Sequence, residues 1–115
     1  MILNFFLVAI GGGLGSMLRY FISMKCKKHF IGTWIANVSG SILLGFITRF
    51  YVDSILMEEI WLFIGVGFCG AYTTFSTFGH ETIQLMLARK VTTALLYVLS
   101  SFVITIFFVS IILFM

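Results

Sequence analysis

Apolar residues run through this chain in four long blocks, and the charged ones fall almost entirely between them. The blocks extend from about Ile2 to Met24, Phe30 to Tyr51, Ile60 to Ala88 and Val91 to Met115, each long enough for the ~20 residues that cross a bilayer's hydrocarbon core. Lys25 to His29, Val52 to Glu59 and the pair Arg89 and Lys90 connect them, which leaves no room for an extramembrane domain. Backbone amides in lipid must bond internally, so apolar runs of this length predict helices. Barrel strands would be shorter and would alternate in polarity. The expected fold is a single all-α, four-span membrane bundle covering residues 1–115.

Composition agrees. With 61% apolar residues, 10% charged residues and no proline, there is too little polar surface for a small soluble globule. The net charge of +3 is small, and the basic residues sit in short clusters between spans and not on the broad basic face that nucleic acid requires. The first block has no basic flank ahead of it and no small-residue cleavage pattern after it, so it reads as a span and not as a signal peptide. Cys26 and Cys69 are far apart, with neither disulfide-framework nor zinc-ligand spacing. No nucleophile, base and oxyanion arrangement can be assembled, so the chain does not read as an enzyme.

The third block is the unusual one. It is longer than a span needs and carries Gly65, Gly67, Gly70, Thr73, Thr74, Ser76, Thr77 and Gly79 through its middle. Glycine loosens a helix, while Thr and Ser hydroxyls offer the backbone alternative hydrogen bonds. A break at mid-membrane is expected over Gly70 to Thr77, and irregular backbone there must be buried or line a cavity. Composition alone favours close helix packing through small residues. Recurring polar positions shift that balance: Asn37, Ser41 and Gly45 share one face of the second span at i, i+4 and i+8, as do Tyr97, Ser101 and Thr105 on the fourth. Two such faces beside a broken span suggest a polar track through the bundle. Phe75 and Phe78 project on one side of the third.

Gly11 to Gly15 superficially resembles a phosphate loop but lacks the preceding strand and the Lys-Ser/Thr pair. Gly11 and Gly15 instead form a small-xxx-small face for close backbone approach. Arg19, one turn further, either snorkels to the interface or draws anions into a vestibule.

Three segments, GGGLGSMLRY at 11–20, GTWIANVSGSILLGF at 32–46 and GFCGAYTTFSTFGHE at 67–81, resemble the small bacterial fluoride channels of the Fluc or CrcB family. The resemblance covers nearly the whole chain, and TTFSTF in the third of four spans is its most specific part. Departures are few: Trp34 and Ala36 replace usual aliphatic residues, and Gly79 a common serine. The resemblance implies a passive channel through which fluoride leaves the cell, located in the cell membrane. It implies two subunits inserted in opposite orientations, with two pores and a structural sodium ion at the centre of the antiparallel dimer. Residue by residue, it implies sodium held by the backbone carbonyls of Gly70 and Thr73. It places Asn37, Phe75 and Phe78 at fluoride, with Ser76, Thr77, Tyr97, Ser101 and Thr105 as further polar lining. Arg19 matches the vestibule arginine, and Glu81 the acidic residue beyond the break.

Two other functions compete. A small proton-coupled multidrug exporter is also four-helical and dimeric, but it couples through a glutamate in its first span, where this chain has no carboxylate. The second is a non-transporting assembly protein whose polar positions only join helices. Finally, Lys25, Lys27, Lys28, Arg89 and Lys90 should lie on one side of the membrane and Arg49 alone on the other. That bias predicts insertion mainly with both termini outside, so the expected partner is either a second copy or an oppositely oriented family member.

Overall fold

The computed structural model describes residues Met1–Met115. Helices α1 (Ile2–Lys25) and α2 (His29–Val52) form the first two spans, and α6 (Val91–Phe114) forms the fourth. Each has 24 residues, ~36 Å of helix at 1.5 Å per residue, which exceeds a hydrocarbon core of about 30 Å. The third span, Glu58–Leu87, is composite. It begins with α3 (Glu58–Ile60), widens into π-helical turns over Trp61–Cys69 and continues as α4 (Gly70–Tyr72). It then breaks, and resumes as α5 (Ser76–Leu87). The chain is a multi-pass membrane protein, and the expected span ends hold to within two residues.

The break is narrower than the glycine and hydroxyl content suggested. Gly70 has ordinary helical dihedrals and belongs to α4, while Ser76 and Thr77 already form the first turn of α5. Only Thr73 to Phe75 are non-helical, and the departure begins at Thr73, whose ψ of 156° is extended. Thr74 Oγ1 accepts the Thr77 N–H at 3.3 Å, covering one of the N–H groups that the start of α5 leaves without a helical partner. The π-helical stretch before the break had no signal in the apolar pattern. Wide turns place Gly65 against its own Trp61, whose ring lies 2.8 Å from where a Cβ would sit.

Small residues set how the spans meet. On α1 only Gly11 and Gly15 are buried, and a Cβ on either would strike the carbonyl of Phe63 or Phe68. From the opposite side, a Cβ on Gly67 would lie 2.7 Å from the Val8 carbonyl. The first span and the N-terminal half of the third are therefore in backbone contact, as the small-xxx-small reading anticipated. Gly32 meets Ser23 of α1, Gly40 meets Tyr72 and Thr73 at the break, and Gly45 meets Ile112 of α6.

Only 20 of 115 residues are buried, and Leu95, Leu99, Val103 and Phe107 of α6 all face outward. A helix in lipid gains nothing by hiding leucine, so α6 turns Ala94, Tyr97, Ser101 and Ile112 inward instead. Arg49 closes one end of the bundle: its Nε donates to Asp53 at 2.9 Å, and its Nη groups donate to the Leu113 and Met115 carbonyls at 2.5 and 3.0 Å. A cation there satisfies carbonyls at the end of α6 that have no helical partner.

Candidate functional site

Beside the break lies a cleft of about 250 Å³. Its walls come from every element that meets there: Asn37 and Ser41 from α2, Thr73, Thr74 and Phe75 from the break, Phe78 from α5, and Ser101, Phe102 and Thr105 from α6. The polar faces read from helical spacing on the second and fourth spans thus converge on one space, against the interrupted third span.

The structure separates the expected residues into groups. Asn37, Thr73, Phe75, Phe78, Ser101 and Thr105 share the cleft. Ser76 is exposed and Thr77 half-buried in the first turn of α5, and neither lines it. Tyr97 is buried behind Phe78, their ring centroids 4.9 Å apart, and borders a second, mostly apolar cavity with Phe30 and Trp34. Glu81 is also buried and receives a long hydrogen bond of 3.4 Å from the Tyr97 hydroxyl. It lies on a third cleft, at the membrane-end side of Phe78, together with His29, Gln84 and Lys90. Arg19 donates from Nε to the Ala71 carbonyl at 3.2 Å, so the first span's arginine closes the end of α4. Ser41 and Phe102 complete the cleft. Ser41 was visible on the polar face of α2, whereas nothing distinguished Phe102 from its many apolar neighbours.

Hydrogen bonds decide which cleft groups can still donate. Ser101 gives its hydroxyl hydrogen to the Tyr97 carbonyl at 2.6 Å, and Thr73 gives its own to Cys69 at 2.9 Å. Each has one hydrogen, so both present only acceptor capacity to the cleft. Ser41 and Thr105, which line the same space, make no such bond. Asn37 commits one amide hydrogen to the Thr74 carbonyl at 2.8 Å and keeps a second. The two phenylalanines differ as well: Phe78 is 8% exposed and edge-on to Phe102, whereas Phe75 is 79% exposed. Its ring is mostly uncovered within one chain.

On the far side of the break, backbone oxygens are released. In an unbroken helix the Thr74 N–H would bond to Gly70. Here it donates to Asn37 Oδ1 at 2.7 Å instead. Gly70 is exposed, and a Cβ there would meet nothing within 4 Å. Released carbonyls on an open surface are the oxygen donors that a hard monovalent cation accepts.

Four membrane-length helices around a polar cleft, with non-helical backbone at membrane depth only where it lines that cleft, define a multi-pass membrane protein with an intramembrane polar site. Residues 6–113 match the family described as CrcB-like protein, Camphor Resistance (CrcB), and the chain belongs to that family. It is similar to "Fluoride-specific ion channel FluC 2" of Clostridium acetobutylicum, 42% identical over 107 residues covering 89% of this chain and 88% of the relative. It is 41% identical over 111 residues to "Fluoride-specific ion channel FluC" of Shewanella halifaxensis, covering 92% and 90% of the two chains. The protein of the same name from Pyrococcus horikoshii is 40% identical over 107 residues, covering 90% and 87%.

Proposed function

We propose that this chain is a subunit of a passive fluoride channel, with the cleft beside the break forming part of the ion path. The observation that carries this reading is the convergence of Asn37, Phe75, Phe78 and Thr105 on one intramembrane space, in a family whose relatives are named for fluoride. Moving even a carboxylate-sized ion into a low-dielectric interior costs of order 20 kcal/mol. Fluoride is smaller and needs its water replaced by donors. The free amide hydrogen of Asn37 and the hydroxyls of Ser41 and Thr105 supply them. Phenylalanine ring edges carry the positive end of the aromatic quadrupole and add weaker attraction. Dispersed weak donors suit conduction, because a tightly held ion does not leave. Ser76, Thr77, Tyr97, Arg19 and Glu81 lie outside the cleft, and their contribution is to the approaches and to the framework around it.

The working unit is an antiparallel dimer. Phe75 is exposed in the protomer and Gly70 faces open space, so both await a partner surface. The Gly70 and Thr73 carbonyls fit a structural sodium ion shared with the second subunit. When bound, that ion supplies a fixed positive charge that ties the two broken spans together.

The test is efflux from liposomes carrying the purified protein. Fluoride should leave rapidly while chloride and a hydrophobic cation stay inside. Proton-driven movement of the cation would support an exporter, and no transport of any of the three would support an assembly role.

A further inference from the structure

The third span stops being a helix at Thr73, and a side chain from another span meets the peptide that breaks the pattern. Asn37 grips Thr74 from both sides: the Thr74 N–H donates to Oδ1 at 2.7 Å, and Nδ2 donates to the Thr74 carbonyl at 2.8 Å. A backbone N–H can only donate and a carbonyl only accept, so this pairing fixes the amide's orientation.

The grip has a consequence for the neighbouring oxygens. Lipid offers no water to a peptide group that has left its helix, and an unpaired N–H at that depth costs several kcal/mol. Without Asn37, the backbone acceptor that helix propagation offers Thr74 N–H is the Gly70 carbonyl. Pairing there would close the break by one residue and consume that oxygen. Other carbonyls are already engaged: Cys69 accepts from both the N–H and the hydroxyl of Thr73, at 3.1 and 2.9 Å, and Ala71 accepts from Arg19 at 3.2 Å. Thr74 is held by Asn37 itself. The Cys69, Ala71 and Thr74 oxygens are thus engaged, and the free set includes Gly70 and Thr73.

We propose that Asn37 is a positioning residue for the cation site. Its two-point hold on Thr74 keeps the Gly70 carbonyl available to sodium, beside a Thr73 carbonyl left free because Thr77 N–H donates to Thr74 Oγ1 instead. Because Asn37 also lines the cleft, one side chain joins the two sites. This rests on the sodium reading given above and adds a residue that touches no cation. A role confined to contacting fluoride would leave sodium affinity untouched when Asn37 is changed.

Melting of the purified dimer in detergent, followed against sodium chloride with a large organic cation keeping ionic strength constant, separates the two roles without measuring transport. In the wild type the melting temperature should rise with sodium. Asn37→Leu removes both hydrogen bonds and should move the half-saturating sodium concentration up by about tenfold or more, as losing interactions of about 1 kcal/mol each implies. Asn37→Asp keeps the acceptor for Thr74 N–H, the bond that spares the Gly70 oxygen, and loses only the second one, so its sodium response should persist with a smaller shift than in Asn37→Leu even while fluoride efflux falls. An unchanged sodium midpoint in Asn37→Leu would overturn the proposal. Should that variant fail to fold, loss of the sodium response in Asn37→Asp would overturn it equally. A wild-type dimer indifferent to sodium would remove the sodium site itself, and the proposal with it, while leaving fluoride conduction to stand on the efflux measurement.

Discussion

Phe75 and Phe78 occupy neighbouring turns and line the same cleft, with ring centroids 6.3 Å apart, yet their surroundings set them apart. Phe78 packs against Tyr97 and Phe102, so replacing it with isoleucine removes a ring edge and also buried contacts. Phe75 gives up little packing within its own chain. Both Phe75→Ile and Phe78→Ile should slow fluoride efflux sharply, whereas only Phe78→Ile should destabilise the isolated fold, by roughly 1–3 kcal/mol. Thermal melting alongside efflux checks this, and undiminished efflux in both variants would refute the role given to the rings. Hydroxyls divide in the same manner. Ser101 spends its hydrogen on the Tyr97 carbonyl, while Ser41 and Thr105 have theirs to offer. Efflux should therefore fall further in Thr105→Val or Ser41→Ala than in Ser101→Ala. The sequence alone ranked Ser101 and Thr105 together, because spacing places a side chain on a face but does not say where its hydrogen goes. Asn37 is a similar case: its face was legible, but its hold on Thr74 requires two spans to be seen together.

At the level of whole elements, the spans were legible because lipid demands long apolar helices and the connecting charges mark their ends. The break was legible in position but not in extent. Glycine and threonine are permissive without being decisive, and Gly70, Ser76 and Thr77 all stay helical, the one side-chain bond to their peptides, from Thr77 N–H to Thr74 Oγ1, serving to cap α5. Thr73 to Phe75 depart where Asn37 supplies an outside partner. The widened turns of Trp61–Cys69 left no trace in a pattern of apolar residues, since π and α turns bury the same kinds of side chain. Glycine contacts do allow a sharp test at this scale. Gly13 and Gly15 sit on one helix two residues apart, but a Cβ at Gly13 meets nothing within 4 Å, whereas at Gly15 it would run into the Phe68 carbonyl. Gly13→Ala should be neutral or stabilise by up to ~1 kcal/mol through helix propensity. Gly15→Ala should force α1 off the third span and lower the melting temperature, and Gly15→Val should lower it further. Equal melting of the Gly13 and Gly15 variants would mean that the first span does not depend on backbone contact.

Across the whole molecule, charge is distributed along the membrane normal, and the structure shows which ends belong together. Arg49 joins the second connection to the C-terminus through Asp53, Leu113 and Met115, while His29 and Lys90 border one cleft at the opposite end. One end therefore carries Lys25, Lys27, Lys28, Arg89 and Lys90, and the other carries Arg49 with Asp53, Glu58 and Glu59. Arg19 is held at the break by Ala71 and counts for neither. Insertion follows the bias of Lys and Arg in short connections, with acidic residues contributing little, so the relevant ratio is five to one. A chain so biased should insert mainly with both termini outside and its basic connections in the cytoplasm. An antiparallel homodimer needs one sequence to insert both ways in comparable amounts, a condition this distribution opposes. The expected physiological partner is accordingly a second family member with the opposite bias, and a homodimer formed on overexpression would draw on the minor orientation. Fusing the C-terminus to a reporter active only in the cytoplasm, and separately to one active only outside it, measures the two populations. A strongly dominant external signal is the expected result, reversed when Lys25, Lys27, Lys28, Arg89 and Lys90 are changed to glutamine and lysines are added around Asp53. Comparable signals from the unaltered chain would show balanced insertion and return the homodimer as the native assembly.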